Sequence, residues 1–514
     1  MKKRIYLYAE ILLLIWFGFF TFINADVQSL WADELSSIGY IRNGLSLKEM
    51  FSTYLFLDTN LPFYSTILYI WYRIFPYGEQ FLLIPSILFC AGGIIFLAAS
   101  VSQLKGERAG FIALCLGCSS NAIIWQGAWE ARCYSLVFLL SAFTMWAYVN
   151  KMLNASRKNL FIYGLAVTLF LWTHWFACIL LAFYGLSDLS MIIRKRCSWK
   201  TLFCYPVGLL SYCPWLVVSF MSKRHELEDF WTEVPKWKNM PWTVLFFLSG
   251  RRILWYICLI MGALICVKAM INLISKSAEK SPVIDLGCIF TISIGGVIGT
   301  VFFYSAYINP QGSLYVERYF MVIAPQILMI TAWGIDCLIT MADKSLLYLN
   351  SKYNWIKKAI PIAARGIVAL GLCIYWVLCY KEAYVSIRKP REEFRQLSDY
   401  LLEDGGIWND NAVLVGSNRY CVLDGFVDYY FVKRGYEEPY NIVDGEIHQE
   451  AESRFYKNYK QWPMENLLEF EWMYCLKIHM GYDDELREFL DENYQLMLID
   501  DGMGIEVWKK TDKN

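Results

Sequence analysis

The side chains in this sequence that can do chemistry are few, and most stand at the ends of apolar stretches. Asp33 and Glu34 sit between Trp31 and the apolar run 35–41. Carboxylates there can simply open an interfacial helix, since Asp and Glu favour a first turn and Trp favours the headgroup level. The same carboxylates, walled by aromatics at a membrane surface, can take a proton as general base. The segment Gln126–Cys133 carries Glu130 and Arg132, and Tyr134 follows it. Two opposite charges in one tight turn can pair as a clamp; unpaired, each costs about 2.5–3.5 kcal/mol at mid-membrane depth. His174 stands at another turn, where a lone His is usually a polar cap. Arg251-Arg252 and Glu317-Arg318-Tyr319 each open an apolar stretch. An Arg so placed can snorkel to the headgroups. It can also grip a phosphate through its planar fork of donors, helped by a helix N-terminus and a Tyr hydroxyl.

The elements that must position these groups are membrane spans. Of 514 residues, 57% are hydrophobic and only 18% charged, with a mean hydropathy of +0.35. That is too little charge to coat several soluble domains, and it equally excludes disorder, collagen-like repeats and a small disulfide scaffold. Residues 5–24 follow Met-Lys-Lys-Arg. The stretch is longer than a signal-peptide core and lacks a cleavage pattern, so it reads as an uncleaved first span with a cytoplasmic N-terminus. Further spans are expected near 80–102, 109–125, 134–150, 201–221, 252–272, 283–305, 318–342 and 359–381. The run 159–193 divides into two crossings at Thr173-His174-Trp175. The run 61–75 is about four turns long and bounded by Pro62 and Pro76. If it does not cross, the loops Lys105–Arg108, Lys151–Lys158, Arg194–Lys200, Lys268–Lys280 and Lys344–Lys358 all face the cytoplasm, as the positive-inside rule asks. It is therefore expected as a juxtamembrane or re-entrant helix, which leaves eleven spans and an extracytoplasmic tail.

The charge balance divides the chain. From residue 383 onward there are 15 Lys and Arg against 27 Asp and Glu, a net of −12, while the remainder holds 32 against 20, a net of +12. The basic surplus lies in short loops and forms no nucleic-acid patch. The sequence thus predicts a transmembrane domain over 1–382, including an outer loop 25–79, and a soluble domain over 383–514. In the latter, 392–404 reads as an amphipathic helix closed by Gly405-Gly406, 412–415 and 497–499 as buried strands, and 483–494 as a second helix. No phosphate-binding or nucleophile motif occurs there. Most of the sixteen cysteines lie in apolar runs as small hydrophobes. Cys421 and Cys475 share the tail and could pair in an oxidising space.

Taken together, the motifs have a family likeness. Trp31-Ala32-Asp33-Glu34, Asn60-Leu61-Pro62-Phe63-Tyr64, Glu130-Ala131-Arg132-Cys133-Tyr134-Ser135-Leu136, Glu317-Arg318-Tyr319 and Thr173-His174 occur in an order and placement that resembles the GT-C superfamily of lipid-linked-sugar glycosyltransferases. The branch it resembles contains the protein O-mannosyltransferases and the aminoarabinose transferase of lipid A (glycosyltransferase family 39-like). The likeness covers roughly residues 1–345. It implies an all-α polytopic fold with a C-terminal extracytoplasmic α/β domain, and it makes Asp33 the general base, with Glu34 beside it. Where family members often have His or Lys before Pro-Pro, this chain has Asn60-Leu61-Pro62, so the phosphate contact falls to Arg318, Tyr319 or Arg251. Where the aminoarabinose branch has an Asp in the second outer loop, this chain has Tyr134, and Glu130 is the substitute. Both departures argue against lipid A aminoarabinose transfer in particular.

The resulting expectation is an inverting glycosyltransferase of the cell membrane. It would move a sugar from a polyprenyl-phosphate donor to an envelope glycan, lipid or protein. Asp33, Glu34 and Glu130 are the candidate catalytic residues; Asn60, Arg132, Tyr134, His174, Arg251, Arg318 and Tyr319 are the candidate substrate contacts. A metal-dependent variant would need a cluster such as Asp33, Glu34, Glu130 and His174, but no spacing demands one, and no cofactor is expected. A lipid-linked-sugar flippase would be expected to show intramembrane charges, broken helices and repeats in its two halves; the sequence has no internal repeat, and its charged residues collect at helix ends on one side. A non-catalytic membrane scaffold presenting the acidic tail is the third reading, and it expects indifference to Asp33→Asn.

Overall fold

A computed structural model describes residues 2–54, 61–195, 197–222, 232–274, 282–350, 356–389, 391–416, 421–444, 464–478 and 484–511. Its contacts divide the chain into two compact units, Met1–Ile23 with Pro85–Ser386, and Asn24–Ile84 with Ile387–Asn514. The first long loop, which the sequence groups with the 1–382 domain, thus packs with the tail.

The larger unit is helical. Among the described residues, seven helices are long and apolar enough to cross a membrane: Ile5–Ile23, Glu79–Lys105, Tyr134–Leu153, Phe176–Ile193, Arg252–Ile274, Pro282–Ile308 and Glu317–Asp343. Their burial grades them by position. Within an apolar stretch of 18 residues in each, 89% of the residues are buried in Glu317–Asp343, which forms the centre, against 17% in Ile5–Ile23 and 22% in Arg252–Ile274. Helices apolar on every side yet so little covered by protein are built to face lipid. The other four expected spans are also helices, Glu107–Ser119, Arg157–Leu171, Cys204–Ser222 and Ile356–Ser386. The first two have 13 and 15 residues, about 20 and 23 Å at 1.5 Å per residue, against about 30 Å of hydrocarbon. The expected span 109–125 is shortened because the chain leaves the helix at Ser120, which is extended, and resumes as a π-turn over Ile123–Ala128.

Two cations counted as loop charges in the sequence are tied into this unit. Lys151 is fully buried, its Nζ 2.5 Å from Asp188 Oδ2, with the hydroxyls of Tyr148 and Tyr205 donating to the same carboxylate at 3.0 and 2.8 Å. Arg108 pairs with Asp336 at 2.6 Å.

In the smaller unit the run 61–75 becomes the helix Pro62–Ile74, with Pro62 in its first turn where a missing N–H costs nothing. The tail forms the helix Phe394–Asp404, stopped by Gly405 at φ +67, and a five-stranded sheet. The strands are β1 (Ala412–Gly416), β2 (Ile442–Asp444), β3 (Trp472–Leu476), β4 (Tyr494–Asp500) and β5 (Ile505–Lys510), in the order β2-β1-β3-β5-β4. β1 is parallel to both neighbours, while β5 pairs antiparallel with β3 and β4. Val413, Val415, Met473, Leu486, Leu490 and Trp508 form its core beneath the helix Asp484–Asn493. Among the described residues no cysteine is in a disulfide, so the Cys421–Cys475 pairing allowed by the sequence is not made.

Candidate active site

The helix that carries Asp33 runs over Ala32–Gly39. Its N-cap position holds Trp31, whose side chain makes no capping bond. Two carboxylates take the first backbone N–H groups at this end. Glu34, itself buried, turns back so that the Trp31 N–H donates to its Oε2 at 3.2 Å, and the Ala32 N–H donates to Glu392 Oε2 at 2.6 Å. Asp33 sits in the first turn, half-buried, and its backbone carbonyl accepts from the Ser37 hydroxyl at 3.1 Å.

This helix lies against the tail helix Val422–Tyr430 with almost no space between the backbones. A Cβ on Gly425 would stand 1.9 Å from the Leu35 carbonyl oxygen, and one on Gly39 2.1 Å from that of Cys421. Beyond the helix, Arg42 pairs with Asp424, and the Asn43 N–H donates to Asp428 Oδ1 at 3.1 Å. Asp428 Oδ2 also accepts the Tyr72 hydroxyl at 2.8 Å. Burial raises the Asp428 carboxyl above its ordinary value and raises the Tyr72 phenol as well. Arg73 donates to the carbonyls of Ile41, Arg42 and Leu45, closing the loop's exit.

In the larger unit, four candidates from three turns come together. The rings of Tyr134 and Tyr319 stack with centroids 6.0 Å apart, and His174 lies 5.3 Å from Tyr319 and 6.3 Å from Tyr134. The Arg318 guanidinium stands over the Tyr134 ring at 5.6 Å, within cation–π range. Phe176, which sequence reasoning did not single out, closes the cluster edge-on to both His174 and Tyr319. Its own N–H donates to His174 Nδ1 at 3.2 Å, which places the imidazole proton on Nε2. Burial lowers the His174 imidazole to about 4, so near neutral pH it is an uncharged donor. Arg318 and Tyr319 lie on the 3₁₀ turn Glu317–Ile323 that feeds the central helix. Beside them is a cavity of about 290 Å³ lined by Glu233, Lys236, Lys238, Asn239, Tyr315 and Glu317.

The remaining candidates are placed differently. Glu130 is fully buried, and its backbone carbonyl accepts from the Ser86 hydroxyl at 2.9 Å. Arg132 is half-buried in the same turn. Arg251 is engaged by Glu382 at 2.7 Å. Asn60 lies outside the described residues. Among the described residues, no three His, Cys, Asp or Glu side chains are grouped so as to hold a metal ion. The tail residues Arg391 and Glu392 were not legible as site residues, because their partners stand about 360 positions earlier.

No protein-family model matches the sequence, and no curated protein matches it. The fold does have counterparts. The crystal structure of ArnT from Cupriavidus metallidurans bound to undecaprenyl phosphate is similar over 98% of both chains, with a TM-score of 0.60 and 12% identity. The apo state of the same protein gives 0.59 over 97% of both chains at 12% identity. The oligosaccharyltransferase AglB from Archaeoglobus fulgidus, in complex with an inhibitory peptide and a dolichol-phosphate, gives 0.50 at 10% identity, over 82% of this chain and 64% of its own. Both neighbours are GT-C proteins, and this chain has the fold of ArnT: a multi-pass helical membrane part with a small C-terminal sheet domain.

Proposed function

We propose that the chain is an inverting glycosyltransferase of the membrane that moves a sugar from a polyprenyl-phosphate donor to an extracytoplasmic acceptor. The observation that carries this reading is the cluster of Arg318, Tyr134, Tyr319 and His174 on the fold of a protein crystallised with undecaprenyl phosphate. Arg318 supplies a permanent positive charge for a phosphate. The neutral His174 Nε2–H and the Tyr319 hydroxyl add donors that carry no compensating negative charge.

Asp33 is assigned the base. The acceptor hydroxyl oxygen attacks the anomeric carbon as its proton passes to the Asp33 carboxylate. The bond from that carbon to the phosphate oxygen breaks, its electron pair stays with the departing polyprenyl phosphate, and attack from the opposite face inverts the centre. Glu34 shapes the loop, since its carboxylate already holds the Trp31 N–H. Arg318 fills the cationic role at the leaving group, so the reading calls for no metal ion. The N-terminus is placed in the cytoplasm and the tail outside by the basic loops.

The test is direct. Purified chain is incubated with polyprenyl-phosphate-linked sugars and an envelope extract as acceptor, and free polyprenyl phosphate is measured by mass spectrometry. Acceptor-dependent release is expected; no release from any donor would contradict the reading.

A further inference from the structure

We propose that Glu392 is a positioning residue for Asp33, which makes the tail a working part of the catalytic apparatus. The inference rests on the assignment of Asp33 as base. The first N–H groups of a helix have no partner within it and are normally satisfied by a Ser, Thr, Asp or Asn at the N-cap. Here that position is Trp31, whose indole side chain offers no acceptor, and its backbone carbonyl takes the Glu34 and Leu35 N–H groups at 2.9 and 3.0 Å. The N–H of Ala32, the first helical residue and one before Asp33, is taken by a carboxylate 360 positions away, at 2.6 Å. The bond is short because the acceptor is charged.

The contact is part of a seam. Gln28 Nε2 donates to the Lys389 carbonyl at 2.6 Å, and the Ser29 hydroxyl donates to the Glu392 carbonyl. The Leu30 N–H donates to the Tyr430 hydroxyl at 3.1 Å, and the Arg391 guanidinium lies 3.8 Å over the Trp31 ring. Residues 28–32 thus contact Lys389, Arg391 and Glu392, and Glu392 acts nearest to Asp33. Asp424 and Asp428 fix only the far end of the helix, through Arg42 and Asn43. A base must be held to a fraction of an ångström at its proton, and Glu392 is the tail group that sets where the first turn begins.

The experiment is a double-mutant cycle on the full-length enzyme, with kcat, donor KM and Tm measured for Glu392→Ala, Glu392→Gln, Asp33→Asn and the Glu392→Ala/Asp33→Asn pair. Glu392→Ala should lower kcat about 10- to 100-fold with donor KM and Tm little changed. Glu392→Gln should recover most of it, because an amide oxygen still accepts the Ala32 N–H. In the Asp33→Asn background Glu392→Ala should add nothing. Full kcat in Glu392→Ala, an equal loss in both backgrounds, or a Tm drop that tracks activity without rescue by Gln would overturn the proposal while leaving the base assigned. Full kcat in Asp33→Asn would overturn the base itself, and this inference with it.

Discussion

The Tyr72 hydroxyl donates to Asp428 Oδ2 at 2.8 Å, joining a helix of the first long loop to a helix of the tail across 356 positions of sequence. Both groups are buried, and Asp428 also receives the Asn43 N–H. Removing one donor leaves a buried carboxylate short of a partner, which costs about 1–3 kcal/mol. Tyr72→Phe should therefore loosen the loop exit. Hydrogen exchange should show faster opening around residues 41–45, while peptides of β1 and β3 keep their protection. Unchanged protection at 41–45 would mean that the Arg73 contacts alone hold the exit.

Arg318 tests the donor site separately from the base. Arg318→Ala should weaken binding of the polyprenyl-phosphate donor by roughly 1.5–3 kcal/mol, the range for a hydrogen bond to a charged group. Arg318→Lys should recover only part of that, because a point charge cannot make the forked contact. Donor affinity unchanged in both variants would leave Arg318 as a snorkelling residue.

His174 gives a signed pH dependence. Its folded value, about 4, lies below its ordinary 6.5 because burial disfavours the imidazolium. Below about 6.5 the unfolded chain takes up a proton that the fold refuses. The His174 contribution to stability is therefore complete above 6.5 and is lost as pH falls towards 4. In detergent, Tm should decline over that window, and His174→Gln should make the decline shallower. Equal slopes would show that His174 titrates freely in the fold.

Much of this arrangement can be read from the chain itself, for reasons of local chemistry. Asp33 and Glu34 open a helix as their charges suggest, Pro62 starts the helix that does not run to full span length, and Gly405 stops the helix 394–404. Tyr134, His174, Arg318 and Tyr319 stand at the ends of apolar runs, and those ends meet. What could not be read depends on partners remote in sequence. Glu392 and Asp428 look like ordinary surface charges of an acidic domain until the first loop is laid against them. Lys151 looks like a loop cation until Asp188 closes on it. The span expected at 109–125 missed its break because apolar composition alone does not reveal a π-turn.

The central claim is that Asp33 accepts a proton from the sugar acceptor. Asp33→Asn keeps the size of the side chain and removes its basicity, whereas Glu34→Gln removes a charge already committed to the Trp31 N–H. The deciding measurement is the single-turnover rate of sugar transfer at saturating donor in these two variants and the parent, with donor binding measured alongside. The account predicts that Asp33→Asn binds donor normally and transfers about 10²–10⁴-fold more slowly, with Glu34→Gln much less affected. Parental transfer rates in Asp33→Asn would contradict it, whatever the other variant did.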